Sequence, residues 1–178
     1  NGENFNYAFY YSTLKNATYL SLPRATNVDY AFYYTTISGN TLNLSIPLAT
    51  SLPYTFAYSG IQNVNLQATG NLTNLSYAFY NSTLKNITGL DLSNVTNMDY
   101  AFGYTYITSV DMYAPMLTTA KYTFRNCTSL KNFKFIAPAL TSVDSYFLSG
   151  VSSFDRVEVD LTSYTGNISY LVKGAPYM

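Results

Sequence analysis

The 178-residue chain contains no histidine and a single cysteine, Cys127. Structural zinc sites draw on several Cys and His ligands, so this sequence cannot build one. Its serines lack the usual general base, and one cysteine closes no internal disulfide. Charge is also scarce: Asp, Glu, Lys and Arg make up 10% of residues, against roughly 25% in an ordinary soluble domain. Nine acidic and nine basic residues cancel to a formal net charge of zero, which argues against the basic stripe that nucleic acid or an anionic membrane requires. No run of 18 apolar residues is present to span a bilayer. Neither a G-x-S-x-G nucleophile elbow nor a G-x-x-x-x-G-K-[ST] or G-x-G-x-x-G phosphate cradle occurs. No catalytic residue, metal ligand or cofactor is therefore assigned.

What is present is apolar and aromatic. Hydrophobic residues reach 48% and aromatics 17%, with 20 Tyr and 11 Phe, ample material for a packed core. Asn, Thr, Ser and phenol hydroxyls replace charge at the surface. The charges are uneven: only Glu3, Lys15, Arg24 and Asp29 precede Lys85.

The chain repeats itself. "NYAFYYSTLKN" at 6–16 returns as "SYAFYNSTLKN" at 76–86. Aligned on the Phe of Y-A/T-F, the copies fall at Phe9, Phe32, Phe56, Phe79, Phe102, Phe124 and Phe147, in steps of 23, 24, 23, 23, 22 and 23. An apolar residue stands four places upstream (Phe5, Val28, Leu52, Leu75, Met98, Ala120, Val143) and another about five downstream (Leu14, Ile37, Ile61, Leu84, Ile107, Leu130, Val151). Then comes an apolar-x-apolar pair: Leu20/Leu22, Leu44/Ile46, Val64/Leu66, Leu90/Leu92, Val110/Met112, Phe133/Phe135, Val157/Val159. That alternation has the period of a short strand with one buried face, ended by Pro23, Pro47, Pro115 or Pro138 in four copies. Asp29, Ser76, Asp99 and Asp144 stand where an N-cap would open a helical turn. One copy cannot bury its own apolar side, whereas stacked copies pair their strands into a continuous parallel sheet. A period of 22–24 lies in the leucine-rich-repeat range. The expected fold is an α/β repeat: a single right-handed solenoid of about seven 22–24-residue coils over 1–178, with a parallel sheet on one side and short helical turns on the other.

The wording of the copies carries a family resemblance. "YTFRNCTSLKNFKFIAPALTSVDSYF" at 122–147 resembles the BspA-type leucine-rich repeat, roughly A-F-x-x-C-x-x-L-x-x-hydrophobic-x-hydrophobic-P, and "LDLSNVTNMDYAF" at 90–102 is similar to its sister variant. The resemblance runs from Phe5 to about Val172. The family's Cys survives only as Cys127, with Ser12, Thr35, Ser59, Ser82 and Thr105 in the matching places. The resemblance implies a secreted or cell-surface protein, mostly of host-associated bacteria, that adheres to host or microbial proteins or glycans and performs no catalysis.

Candidate binding residues come from three tyrosine columns. The first is Tyr7, Tyr30, Tyr54, Tyr77, Tyr100 and Tyr122; the second is Tyr11, Tyr34, Tyr58 and Tyr104, interrupted by Asn81 and Asn126; the third is Tyr10, Tyr33 and Tyr80. Tyrosine supplies large contact area at small entropic cost and keeps a polar tip. The competing reading is a ladder of equivalent side chains that only stabilises the stack. The regular first column favours the ladder, while the interrupted columns leave a ligand-binding role open for Tyr10, Tyr11, Tyr33, Tyr34, Tyr58, Tyr80 and Tyr104. The outward residues of the strand pairs, Ser21, Ser45, Asn65, Asp91, Asp111, Lys134 and Glu158, form a second candidate row. Within it Asp91 and Asp111 would be neighbours at the ~5 Å carboxylate spacing of retaining glycosidases. A flat sheet face offers no dry pocket, and Lys134 stands next in line to neutralise Asp111, so a solvated face is the better reading.

Cys127 reads as a small buried hydrophobe. The N-x-[ST] sequons at Asn16, Asn43, Asn71, Asn74, Asn81, Asn86, Asn94, Asn126 and Asn167 read as by-products of a repeat written in Asn, Ser and Thr. At the ends, the chain starts mid-repeat and is expected to extend upstream. The segment 151–178 drifts from the pattern as a divergent last repeat or cap, its charges suited to an edge strand that resists pairing.

Overall fold

The computed structural model describes residues 2–167 apart from positions 16, 40, 69, 145 and 153. The Asn16 sequon and the part of the divergent segment beyond 167 lie outside these residues. The seven copies stack as the coils of a parallel β-solenoid. Tyr19–Ser21, Thr41–Ser45, Asn63–Gln67 and Asn86–Thr88 form one parallel sheet, and Ser109–Tyr113, Asn132–Ile136 and Arg156–Asp160 form another on the same side. A narrower parallel ladder runs along a second side through Ser51, Asn74, Asn97, Thr119 and Ser142. Beside it, the hydroxyls of Thr73, Thr96, Thr118 and Thr141 each donate to the carbonyl of the threonine one coil earlier.

The apolar columns fill the interior. Phe32, Phe56, Phe79, Phe102, Phe124 and Phe147 are buried, and Phe9 in the first coil is half-buried. Their rings stack at 5.0–5.6 Å between centroids from Phe9 to Phe124. That pitch follows the ~4.8 Å spacing of paired strands. The spine turns edge-on at Phe147, 84° to Phe124, where Phe133 and Phe135 enter the core in place of smaller residues.

The expected helical turns do not form: no helix occurs among the described residues. Around the Phe of each of the first five coils the chain makes three overlapping tight turns instead. In the second coil, Ala31, Tyr33 and Thr35 donate to the carbonyls of Val28, Tyr30 and Phe32, three residues back. The amides between them, on Tyr30, Phe32 and Tyr34, donate to Pro53, Thr55 and Ala57 of the next coil. A helix would aim every amide along its own axis; here alternate amides tie neighbouring coils together. Left-handed backbone makes this possible. Tyr30 (φ 56°) and Tyr34 (φ 53°) occupy the third place of their turns, where a type II turn demands positive φ. The residues assigned as helix caps follow a different rule. The Asn27, Asn74 and Asn97 carboxamides accept from the amides of Asp29, Ser76 and Asp99, two residues on, a local Asx turn. Asp144 accepts from Tyr146 in the same way.

The sheet register also departs from the expected pairs. Leu42/Leu44, rather than Leu44/Ile46, align with Val64/Leu66, and Ile87, rather than Leu90, aligns with Val64. The fourth strand ends at Thr88 because Gly89 takes φ 70° with its Cα against Leu66; a Cβ there would lie 2.0 Å from the Leu66 carbonyl oxygen. The following residues leave the sheet, so it breaks between Thr88 and Ser109 instead of running on. The pairs of the last three coils are in the expected register.

Candidate functional site: the tyrosine flank

Each of the first six turns carries tyrosine at its first left-handed position, and the first, second, third and fifth carry it at the second as well; these rings leave the solenoid on one flank. The first column stacks without a gap: Tyr7–Tyr30, Tyr30–Tyr54, Tyr54–Tyr77, Tyr77–Tyr100 and Tyr100–Tyr122 lie 4.4–4.9 Å apart with planes within 16°. Tyr146 continues it at 5.1 Å from Tyr122. Sequence reasoning missed this ring because it stands one place before Phe147 rather than two.

In the second column Tyr11, Tyr34 and Tyr58 stack at 4.6 and 4.7 Å. The interruptions at Asn81 (φ 53°) and Asn126 (φ 54°) keep the same left-handed backbone, which Asn tolerates better than most residues. This column is therefore as tightly bound to the fold as the first. The third column is the partial one. Tyr10 stacks on Tyr33 at 5.3 Å, whereas Tyr80 stands edge-on between Tyr58 and Tyr104, 5.7 and 5.5 Å from them. Gly103 makes room for Tyr80, whose ring lies 3.3 Å from the place a Cβ would take. In the sixth coil the Arg125 guanidinium lies over Tyr104, Tyr122 and Tyr146 at 5.6, 5.5 and 4.8 Å, a cation–π arrangement.

The flank is therefore a ridge of tyrosines whose ring faces are largely covered by one another, leaving edges and phenol tips outward. Exposure is greatest in the first two coils: Tyr7 50%, Tyr10 41%, Tyr11 61% and Tyr34 41%. Burial, then the neighbouring phenols Tyr58, Tyr34, Tyr10 and Tyr11, pushes the Tyr33 hydroxyl up to about 12. Tyr30, Tyr77 and Tyr122 are raised as well, each chiefly by burial. These raised phenols are neutral at pH 7, and the charge on the flank is the Arg125 guanidinium.

The second candidate row assembles only in part: Asp111, Lys134 and Glu158 stand in register, and Ser21 aligns with Ser45. Ser21 and Ser45 align with Gln67, while Asn65 lies on the neighbouring row with Tyr19, Asn43 and Thr88. Asp91 lies in the loop after Gly89, outside the sheet, and accepts from the Ser93 amide and hydroxyl; the Ser93 hydroxyl is the larger cause holding its carboxyl below the usual range. Asp111 aligns with Lys134, but the Lys134 ammonium pairs with Glu158 at 3.4 Å. Among the described residues no strand pairing joins Asp91 to Asp111, so the two are not the cross-strand neighbours expected from sequence. Cys127 is buried, donates to the Phe102 carbonyl and touches the Thr105 hydroxyl. Burial pushes its thiol up to about 11, the environment of an inert side chain.

A family model described as a BspA type leucine rich repeat region matches the chain in six copies, over residues 5–98 and 52–170. No curated protein and no solved structure matches it.

Proposed function

Since the chain belongs to the BspA-type leucine-rich-repeat family, we propose that this repeat module is a non-catalytic adhesin segment, secreted or held at a bacterial cell surface. Its tyrosine ridge docks on a protein surface of a host or another microbe. The observation that carries this reading is the stacked ridge of Tyr10, Tyr11, Tyr33, Tyr34 and Tyr58, in which Tyr10, Tyr11 and Tyr34 are exposed and Tyr33 and Tyr58 half-buried. Rings already held by their neighbours lose little freedom on binding, which removes a main cost of association. With most faces covered, the ridge presents edges and hydroxyls, which suit the mixed polar and apolar surface of a protein.

The test uses residues the solenoid already places in these slots. The variant Tyr33→Ala, Tyr34→Asn, Tyr58→Asn copies Ala57, Asn81 and Asn126, so the fold is retained. Surface plasmon resonance against extracellular-matrix proteins, with whole-cell adhesion alongside, is expected to show at least a tenfold loss from a chain that is still folded at the assay temperature, the lost ring contacts costing at most about 1 kcal/mol per tyrosine. Adhesion that survives this change would instead mark the module as a spacer that holds another domain away from the cell.

A further inference from the structure

The interruption of the second tyrosine column creates a concave site. Where the first three coils carry Tyr11, Tyr34 and Tyr58, the fourth and sixth carry Asn81 and Asn126, so Tyr104 between them stacks face to face on no other ring among the described residues. The result is a shallow cavity of about 370 Å³ lined by Asn81, Tyr104, Thr105, Tyr106, Asn126 and Thr128. Tyr106 at its rim is 51% exposed.

The two carboxamides differ from most other asparagines of the solenoid. Asn27, Asn74 and Asn97 hold Asx turns. Asn43, Asn65, Asn86 and Asn94 hydrogen-bond to the adjacent coil. The side chains of Asn81 and Asn126 make no hydrogen bond within the protein among the described residues. Their left-handed backbone, φ 53° and 54°, sets the direction in which each Cα–Cβ bond leaves the turn. The cavity thus offers the Asn81 carboxamide and the amide nitrogen of Asn126, whose Oδ1 rests against Gly150, the hydroxyl of exposed Thr128, and aromatic surface chiefly at exposed Tyr106. No acidic or basic side chain lines it, and the nearby Arg125 cation rests on the rings of Tyr104, Tyr122 and Tyr146.

We infer that this notch is a subsite for one uncharged pyranose. A carboxamide reaches two neighbouring sugar hydroxyls at once, as donor to one and acceptor from the other. An aromatic ring receives the apolar C–H face of the sugar, and the absence of charge selects against acidic sugars. The site is separate from the protein-docking ridge of the first three coils and stands or falls without it.

The experiment is saturation-transfer NMR on the purified chain with the methyl glycosides of glucose, galactose, mannose and N-acetylglucosamine, and with sialic acid as the charged comparison. At least one neutral glycoside is expected to receive saturation and to titrate in the millimolar range, with sialic acid silent. The double variant Asn81→Tyr, Asn126→Tyr restores the column residue of the other coils and fills the notch. It is expected to keep the unfolding midpoint and to lose the signal at least tenfold, while Tyr34→Asn leaves it unchanged. Silence of all four neutral glycosides, binding of sialic acid alone, or an undiminished signal in the double variant overturns the assignment. So does an intact mass showing a glycan covalently attached at Asn81 or Asn126, which would occupy the carboxamide.

Discussion

Tyr77 and Tyr100 face each other at 4.4 Å with planes 8° apart, and both sit on left-handed backbone, φ 57° and 60°. The two facts belong together. The turn that puts φ above zero aims both phenols out of the same flank, and the amides it frees bind the next coil, setting the distance at which rings meet. The ridge is a by-product of the way the backbone closes its hydrogen bonds.

Such a stack holds its phenols neutral, and alkaline titration reads this. Burial and neighbouring phenols raise the folded pKa of Tyr33 from 10 to about 12, and Tyr30, Tyr77 and Tyr122 move in the same direction. A folded pKa above the unfolded one means that the native state holds the proton longer, so its contribution to stability is complete below pH 10 and fades as pH rises through 12. Urea midpoints are expected to be flat from about pH 8 to 9.5 and to fall from about pH 10 to 12. Phenolate absorbance of the native protein should appear later in the titration than that of the unfolded chain.

The phenylalanine spine bears unequal load along its length. Phe79 is fully buried and stacks on Phe56 and Phe102 at 5.1 and 5.3 Å, so Phe79→Ala should cost about 3–5 kcal/mol. It also weakens two coil interfaces in the middle of a nearest-neighbour array. Phe9 is half-buried and stacks on one ring only, so Phe9→Ala should cost roughly half as much. Chemical denaturation of both variants checks the ratio.

Cys127 offers a probe of the same interior. Its thiol, pushed up to about 11 by burial, should not react with a maleimide at pH 8 until the protein opens. The labelling rate should track the unfolded population as urea is added. Cys127→Thr places the residue of the preceding coil, Thr105, in an equivalent slot. That change should shift stability by no more than about 1 kcal/mol.

The interior was readable because each of its columns is one kind of side chain at one period, and burial leaves little choice at such positions. Phe32 to Phe147, and the strand pairs Val110/Met112 and Phe133/Phe135, fall in this class; Val157/Val159 keep the register at the end of the sheet although both are exposed. The fourth coil misled because Leu90 and Leu92 imitate a strand pair beyond Gly89, where the backbone has already turned away; the placement of Asp91 followed from that error. The helical turn misled for another reason. Nothing in the side chain of Tyr30 announces a positive φ, and apolar spacing around Y-A-F also fits a helix. One signal was available: Asn81 and Asn126 replace Tyr at one turn position, and asparagine is the residue most often found there besides glycine when the backbone is left-handed.

That signal supports a discriminating pair of substitutions at Tyr34. The residue holds φ 53° and stacks on Tyr11 and Tyr58. If ring stacking were the main requirement, asparagine and valine would be equally harmful, since both delete the ring. If the left-handed turn is the main requirement, the two diverge. Asparagine accepts positive φ, and the fourth coil already carries it at the matching position as Asn81. Valine adds a β-branch where Cβ is already crowded against the following carbonyl. Tyr34→Asn is therefore expected to lower stability by at most about 1 kcal/mol, the value of the lost ring contacts, and Tyr34→Val by about 1–2 kcal/mol more. Equal midpoints for the two variants in urea would show that the rings, not the backbone, hold this turn in place.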